Sequence, residues 1–286
     1  MRAFFLILIL SIGFFSRAPA DPIGDVPAIY QPLVDRLSKD GFDYEFLSRF
    51  FLDPRAEIDP SVMTLSLGSS ETTGLYAQFL TPESIRLARR FLRENGKVLR
   101  QMEKKLLVEK EVIVAILLVE SRFGENTGQY RVIPTLASMA LMDSSENLRT
   151  NYLMLRELDP EFSYEWMENR AKKKANWAYH ELKCFLKIIR NERMDPLEVR
   201  GSYAGALGMA QFIPSSYLAY AMNKESFEKW LFSKEAAIFS IGNYLKSYGW
   251  KRKLPSSKKK QVLWYYNRSE PYVGTILQVA TRLEQK

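Results

Sequence analysis

Residues 112–119 are eight apolar residues in a row, Val-Ile-Val-Ala-Ile-Leu-Leu-Val, and the next residue is a carboxylate, Glu120. A run with no polar face must be packed on all sides, whichever element it forms. The charged KLLVEKE lead and the lack of Gly or Pro favour a helix. A buried strand is the alternative, because Val and Ile abound. Ser121 to Gly124 supplies the stop, and Gly124 is expected to take the left-handed conformation that ends helices.

A Glu at the end of a buried helix is seldom tolerated unless it is paired or functional. Desolvation and the negative end of the helix dipole both raise a carboxyl pKa, as a general acid near neutral pH requires. Arg122 and Arg131 offer the plainer alternative of simple charge pairing.

The rest of the chain narrows the chemistry. It has 286 residues, 47% of them hydrophobic, enough for a sizeable core. Residues 1–20 combine a basic start at Arg2, an apolar run from Ala3 to Phe15 and an Ala18-Pro19-Ala20 end, which reads as a cleavable secretory signal. No cysteine follows it, so no lipoprotein anchor is expected. Loss of Arg2 and Arg17 takes the formal charge from +8 to +6. A basic exported protein suits an anionic polymer such as cell wall, or a membrane surface, rather than nucleic acid. The lone Cys184 cannot form an internal disulfide, and the lone His180 removes most metal and Ser-His or Cys-His options. His180 and Cys184 are spaced like a ligand pair, yet no further Cys or His completes a zinc site.

In chain order, the pattern predicts a short helix ending at Gly41 and a second capped by Asp43 and broken at Asp53-Pro54, with Phe46, Leu47, Phe50 and Phe51 on one face. Residues 53–75 read as loop. Thr81-Pro82-Glu83 opens a helix that Asn95-Gly96 closes, with Ile85, Ala88 and Leu92 as its stripe. Another helix follows from about Lys97 to Leu107. VIPTLASMALM is a second apolar helix, Asp143 to Asn147 a polar loop, and 148–174 an insertion with helical pieces. Asn176 to Asn191 and Glu235 to Trp250 read as helices, and Lys251 to Lys260 as a basic, solvated linker. The segment 201–217, GSYAGALGMAQFIPSSY, lets its backbone approach a neighbour closely, and Ser202 and Gln211 stand out on it as polar. The chain closes with an aromatic, polar turn and a helix.

Four stretches in order, VESRFGENTGQYRVIPTLASMA, GSYAGALGMAQFIPSSYLAYA, IGNYLKSYGW and YNRSEPYV, resemble the lytic transglycosylase B family of murein-degrading enzymes. GFDYEFLSRFFLDPRAEID and FLTPESI resemble it more weakly, so that the resemblance runs from about Tyr30 to Leu283 apart from 148–174. It implies a mainly α protein, a lysozyme-like helical core with further helices flanking a glycan-binding cleft, occupying residues 21–286. It implies one catalytic acid/base, Glu120. Ser202 and Gln211 would reach the sugar near the cleaved bond, and Tyr244, Tyr266, Asn267 and Tyr272 would line the sugar subsites.

The implied activity is cleavage of the β-1,4 bond between N-acetylmuramic acid and N-acetylglucosamine, leaving 1,6-anhydro ends on peptidoglycan, the expected partner. The alternatives are a muramidase using water and a murein-binding scaffold that kept the fold. The chain departs from the family where many members carry a calcium loop: Met222 to Trp230 is short and lysine-bearing, so no metal or cofactor is expected. An arginine pair common in the family stands here as Ser144-Ser145.

Overall fold

The apolar run is a helix. In the computed structural model, which describes residues 25–68, 73–222 and 225–285, it forms the body of Lys110–Ser121, and Val112 to Leu118 are all buried. The expected secretory signal, 1–20, lies outside the described residues.

Ahead of the run come α1 (Gln31–Lys39), α2 (Tyr44–Phe51), α3 (Pro60–Gly68), α4 (Thr73–Tyr76), α5 (Pro82–Glu94) and α6 (Gly96–Leu106), so the buried helix is α7. After it come α8 (Val132–Ala140), α9 (Ser145–Leu158), α10 (Tyr164–Ile189), α11 (Pro214–Tyr220), α12 (Phe227–Phe232), α13 (Lys234–Ser247), α14 (Ser256–Tyr266) and α15 (Glu270–Glu284). Two two-residue strands, β1 (Tyr130–Arg131) and β2 (Arg200–Gly201), pair antiparallel with Tyr130 opposite Gly201. The fold is mainly α, with α5, α6, α13 and α15 packed around α7, and α8 lying along α10.

Local chemistry sets many of the helix starts. Asp43, Thr81, Ser144, Ser163, Ser233 and Ser269 each accept a backbone N–H from the first turn of the helix that follows. Such a side chain satisfies a donor that would otherwise lack a partner. The expected caps at Asp43 and Thr81 are among them.

Several expectations need correction. The stretch 53–75 contains a helix, α3, started by Pro60. Its buried stripe of Val62, Met63, Ser66 and Leu67 is hidden in sequence by interleaved Ser and Thr. Asp143 to Asn147 is not all loop, because Ser144 caps α9 by accepting from the Asn147 N–H. The 148–174 segment is helical as expected, forming the body of α9 and the first turns of α10; only the start of the helix expected from Asn176 moves, since α10 runs unbroken from Tyr164 to Ile189. The basic linker gives way to α14 at Ser256, and Trp264, Tyr265 and Tyr266 form that helix's last turn. Gly124 takes the positive φ expected of it but is not the first residue after α7 to do so. Arg122 (φ 48°) and Phe123 (φ 64°) precede it in that conformation, and Gly124 (φ 95°) continues it. The cause is early closure of the helix end, with Phe123 N–H donating to the Leu117 carbonyl at 3.0 Å.

Candidate active site

Glu120 sits half-buried in the last turn of α7. The Tyr272 hydroxyl, brought from the first turns of α15, donates to its Oε1 at 2.6 Å, a short, charge-assisted contact. The two arginines that offered plain charge pairing hold other carboxylates. Arg122 pairs with Glu125 at 3.1 Å, and Arg131 with Glu198 at 3.3 Å. Glu125 is exposed, and Glu270 lies exposed in the first turn of α15.

Tyr272 is itself 1% exposed. Its ring stacks on Tyr266, with centroids 6.4 Å apart and planes 9° apart, and meets Tyr76 edge-on at 6.1 Å. Tyr266 in turn contacts Tyr244 at 4.9 Å. The Tyr266 hydroxyl donates to the Ala210 carbonyl and that of Tyr244 to the Tyr265 carbonyl, both at 2.6 Å. Burial first, and then the Glu120 charge, push the Tyr266 and Tyr272 phenols far above their ordinary pKa. Both therefore stay protonated near neutral pH, and Tyr272 serves Glu120 as a fixed donor. Tyr76 was missed in sequence. It ends α4, directly after the stretch read as loop, and no local pattern marks it.

Two glycines lock the loop that carries Ser202 and Gln211 against the exit of α7. A Cβ on Gly128 would lie 2.0 Å from the Gly201 carbonyl oxygen, and one on Gly201 would lie 2.3 Å from that of Ala206. Ser121 Oγ adds a bond to the Met209 carbonyl at 2.8 Å. Ser202 Oγ accepts from the N–H groups of Ala204 and Ala206, which fixes its lone pairs and leaves its hydrogen to donate. Gln211 adopts φ 48° and donates its amide to the carbonyls of Thr127 and Gly208 at 3.1 and 2.9 Å. Its amide oxygen remains as an acceptor.

Downstream, the buried Glu181 of α10 receives both the N–H and the hydroxyl of Ser215 at 2.8 Å, anchoring the start of α11. Asn267 follows α14 in an extended conformation and lies between Tyr266 and Tyr272 in the chain. A cavity of about 100 Å³ opens among Gln211, Phe212, Ile213, Ser216, Tyr244, Tyr265 and Tyr266.

The structure thus brings Glu120, Tyr272, Tyr266, Tyr244 and the Ser202–Gln211 loop into one bonded cluster. Tyr244 and Tyr272 contribute buried rings there, at 6% and 1% exposure. The groups together hold a carboxylate, a hydroxyl and an amide on an aromatic floor, the composition of a polar-ligand site. His180 Nε2 lies 3.6 Å from Cys184 Sγ, and among the described residues no group of three or more His, Cys, Asp or Glu could hold a metal ion.

Comparison with known proteins agrees with this architecture. Membrane-bound lytic murein transglycosylase B of Escherichia coli is 28% identical over 235 residues, which is 77% of this chain and 57% of that protein. The chain therefore spans little more than half of that relative's length. Soluble lytic transglycosylase SltB1 of Pseudomonas aeruginosa shares its fold, with a TM-score of 0.70, 23% identity, and coverage of 91% of this chain and 99% of that one. SltB3 of the same organism, solved in complex with NAG-NAM-pentapeptide, matches at TM-score 0.69 and 18% identity, over 90% of this chain and 80% of that one. Residues 26–259 match the family described as the transglycosylase SLT domain, and the chain belongs to that family.

Proposed function

We propose that the chain is an exported lytic transglycosylase that cleaves peptidoglycan glycan strands between N-acetylmuramic acid and N-acetylglucosamine. The observation that carries this reading is Glu120, one carboxylate at the end of a buried helix, held by a buried tyrosine in a member of this family. Glu120 as acid protonates the glycosidic oxygen while the bond to C1 of the muramoyl unit breaks. Glu120 as base then takes the proton of that unit's 6-hydroxyl, whose oxygen bonds to C1. No water is consumed, and the acid is regenerated in its starting form. Because the attacking hydroxyl belongs to the same sugar, its effective concentration outcompetes water when the ring is held.

Tyr272 positions the carboxylate. Ser202 donates to the sugar and Gln211 accepts from it. Tyr244, Tyr266 and Asn267 shape the subsite around the cleaved bond. Residues 21–286 form the catalytic domain, with 148–174 as an insertion, and the first twenty residues act as a cleaved secretory signal that delivers it to the periplasm or beyond. NAG-NAM-pentapeptide in the SltB3 complex supports the same substrate class here.

Glu120→Gln tests the assignment, since the amide keeps the shape and removes the proton. Release of soluble fragments from murein falls by about 10²–10⁴-fold. Undiminished release by a folded, purified variant would falsify the role of Glu120.

A further inference from the structure

The half of α10 that the active site does not use carries a cluster of cations for which the described residues supply no counter-ion. Trp166, Asn169, Arg170, Lys173 and Lys174 line a cavity of about 310 Å³. Positions 166, 170, 173 and 174 share one helix face by their spacing. The Arg170 guanidinium lies over the Trp166 ring at 5.1 Å, and one of its terminal nitrogens donates to the Ser66 carbonyl at 3.3 Å. Its Nε is sealed from solvent with no acceptor.

Lys174 is half-buried one turn further on. Burial, and then Arg170, push its ammonium pKa down to about 8. The neighbouring Lys172 is neutralised by Glu168 at 3.1 Å. Among the described residues no carboxylate pairs with Arg170, Lys173 or Lys174.

Holding two half-buried cations one turn apart costs stability unless something compensates the charge. An oxyanion seated between them would restore the balance. We propose that Trp166, Arg170, Lys173 and Lys174 form a second binding site, for a carboxylate of the peptide stems on murein, so that α10 grips the same polymer away from the cleft. This rests on the peptidoglycan reading above, and the pentapeptide bound to SltB3 supports the presence of such stems on the substrate.

An anionic lipid surface is the competing occupant, since Trp166 is 50% and Leu158 81% exposed. Glu157, Asp159, Glu161 and Glu165 surround the turn between α9 and α10, and they would meet the same headgroups with repulsion. A polymer side chain that enters only the cavity avoids them.

The test uses Glu120→Gln protein, which leaves the polymer intact, with and without Lys174→Gln or Lys173→Gln. Binding is measured by cosedimentation on whole sacculi and on phosphatidylglycerol vesicles, and on stripped sacculi, the glycan strands that an amidase frees of their stems and that are then immobilised on beads. The added substitutions are expected to weaken binding to whole sacculi by about 3–10-fold at low salt, and less at high salt. On stripped sacculi the difference is expected to vanish. The melting temperature of the Lys174→Gln protein stays level or rises, because an uncompensated ammonium has been removed.

Unchanged binding to whole sacculi, a difference that persists on stripped sacculi, or one found on vesicles instead would each overturn the proposal. A fall of several degrees in melting temperature would also overturn it, by making Lys174 a structural residue. Turnover of the same sacculi by wild-type protein is scored separately. Its absence alongside a stem-dependent binding difference would remove the enzymatic reading and leave this site standing.

Discussion

At the residue scale, Glu120 is defined by what holds it. A hydrogen bond to a charged group contributes roughly 1.5–3 kcal/mol, and the Tyr272 contact at 2.6 Å is of that kind. Tyr272→Phe is therefore expected to lower kcat by about 10–100-fold with little effect on KM. Steady-state kinetics on soluble glycan fragments check this, and an unchanged kcat would mean that the bond does not serve the chemistry. Gly128 makes the second residue-scale case. Its φ of 98° and the 2.0 Å approach of a Cβ to the Gly201 carbonyl leave no room for a side chain. Gly128→Ala must push the exit of α7 away from the Ser202–Gln211 loop. An expected stability loss of about 2–4 kcal/mol, read from a denaturant midpoint, accompanies the loss of activity. A variant as stable as wild type would show that the two loops are not locked together here.

At the scale of elements, Arg55 ties separate pieces together. It pairs with Asp53 beside it, and with Asp195 and Glu198 on the turn that leads into β2, at 2.7–2.8 Å. Its hydrogen bonds pull the Asp53 carboxyl down to about 2 and lower those of Asp195 and Glu198. Groups whose folded pKa is depressed contribute stability above their unfolded pKa and lose it as pH falls through the folded value. The stability difference between wild type and Arg55→Gln is expected to be constant above about pH 5 and to shrink toward pH 2. Denaturant titrations over that range measure it, and a difference independent of pH would separate Arg55 from these carboxylates.

The same scale shows where sequence reading stopped. Strongly periodic or wholly apolar helices, such as α5, α7 and α8, were legible because their burial is written in their composition. The helix α3 was not, because its buried stripe includes Ser66 while Leu65 lies on its exposed face, which blurs the period. The start of α14 was hidden by lysines that can line a helix as readily as a loop. Gly124 took the positive φ expected of it, but Arg122 and Phe123 did so too, because closure of the helix end through the Phe123 N–H and the Leu117 carbonyl outweighed a local cost of about 1–2 kcal/mol per residue.

At the scale of the whole molecule, the site is assembled from segments far apart in the chain: the end of α7, the loop after β2, and the junction of α14 and α15. Glu120 was legible as a polar residue where composition demanded an apolar one. Ser202 and Gln211 stood out for the same reason. The tyrosine stack was not legible, since nothing in a sequence says that Tyr272 will reach back 152 residues to Glu120 or that Tyr76 will cover it. In the proposed function the carboxylate so assembled carries out both proton transfers while the substrate supplies its own nucleophile. Mass spectrometry of murein digested by the wild-type protein tests it most directly. The expected muropeptides end in 1,6-anhydro-muramic acid, each lighter by one water than a hydrolytic product, and none come from the Glu120→Gln protein. Predominantly reducing ends would contradict it and make the enzyme a muramidase.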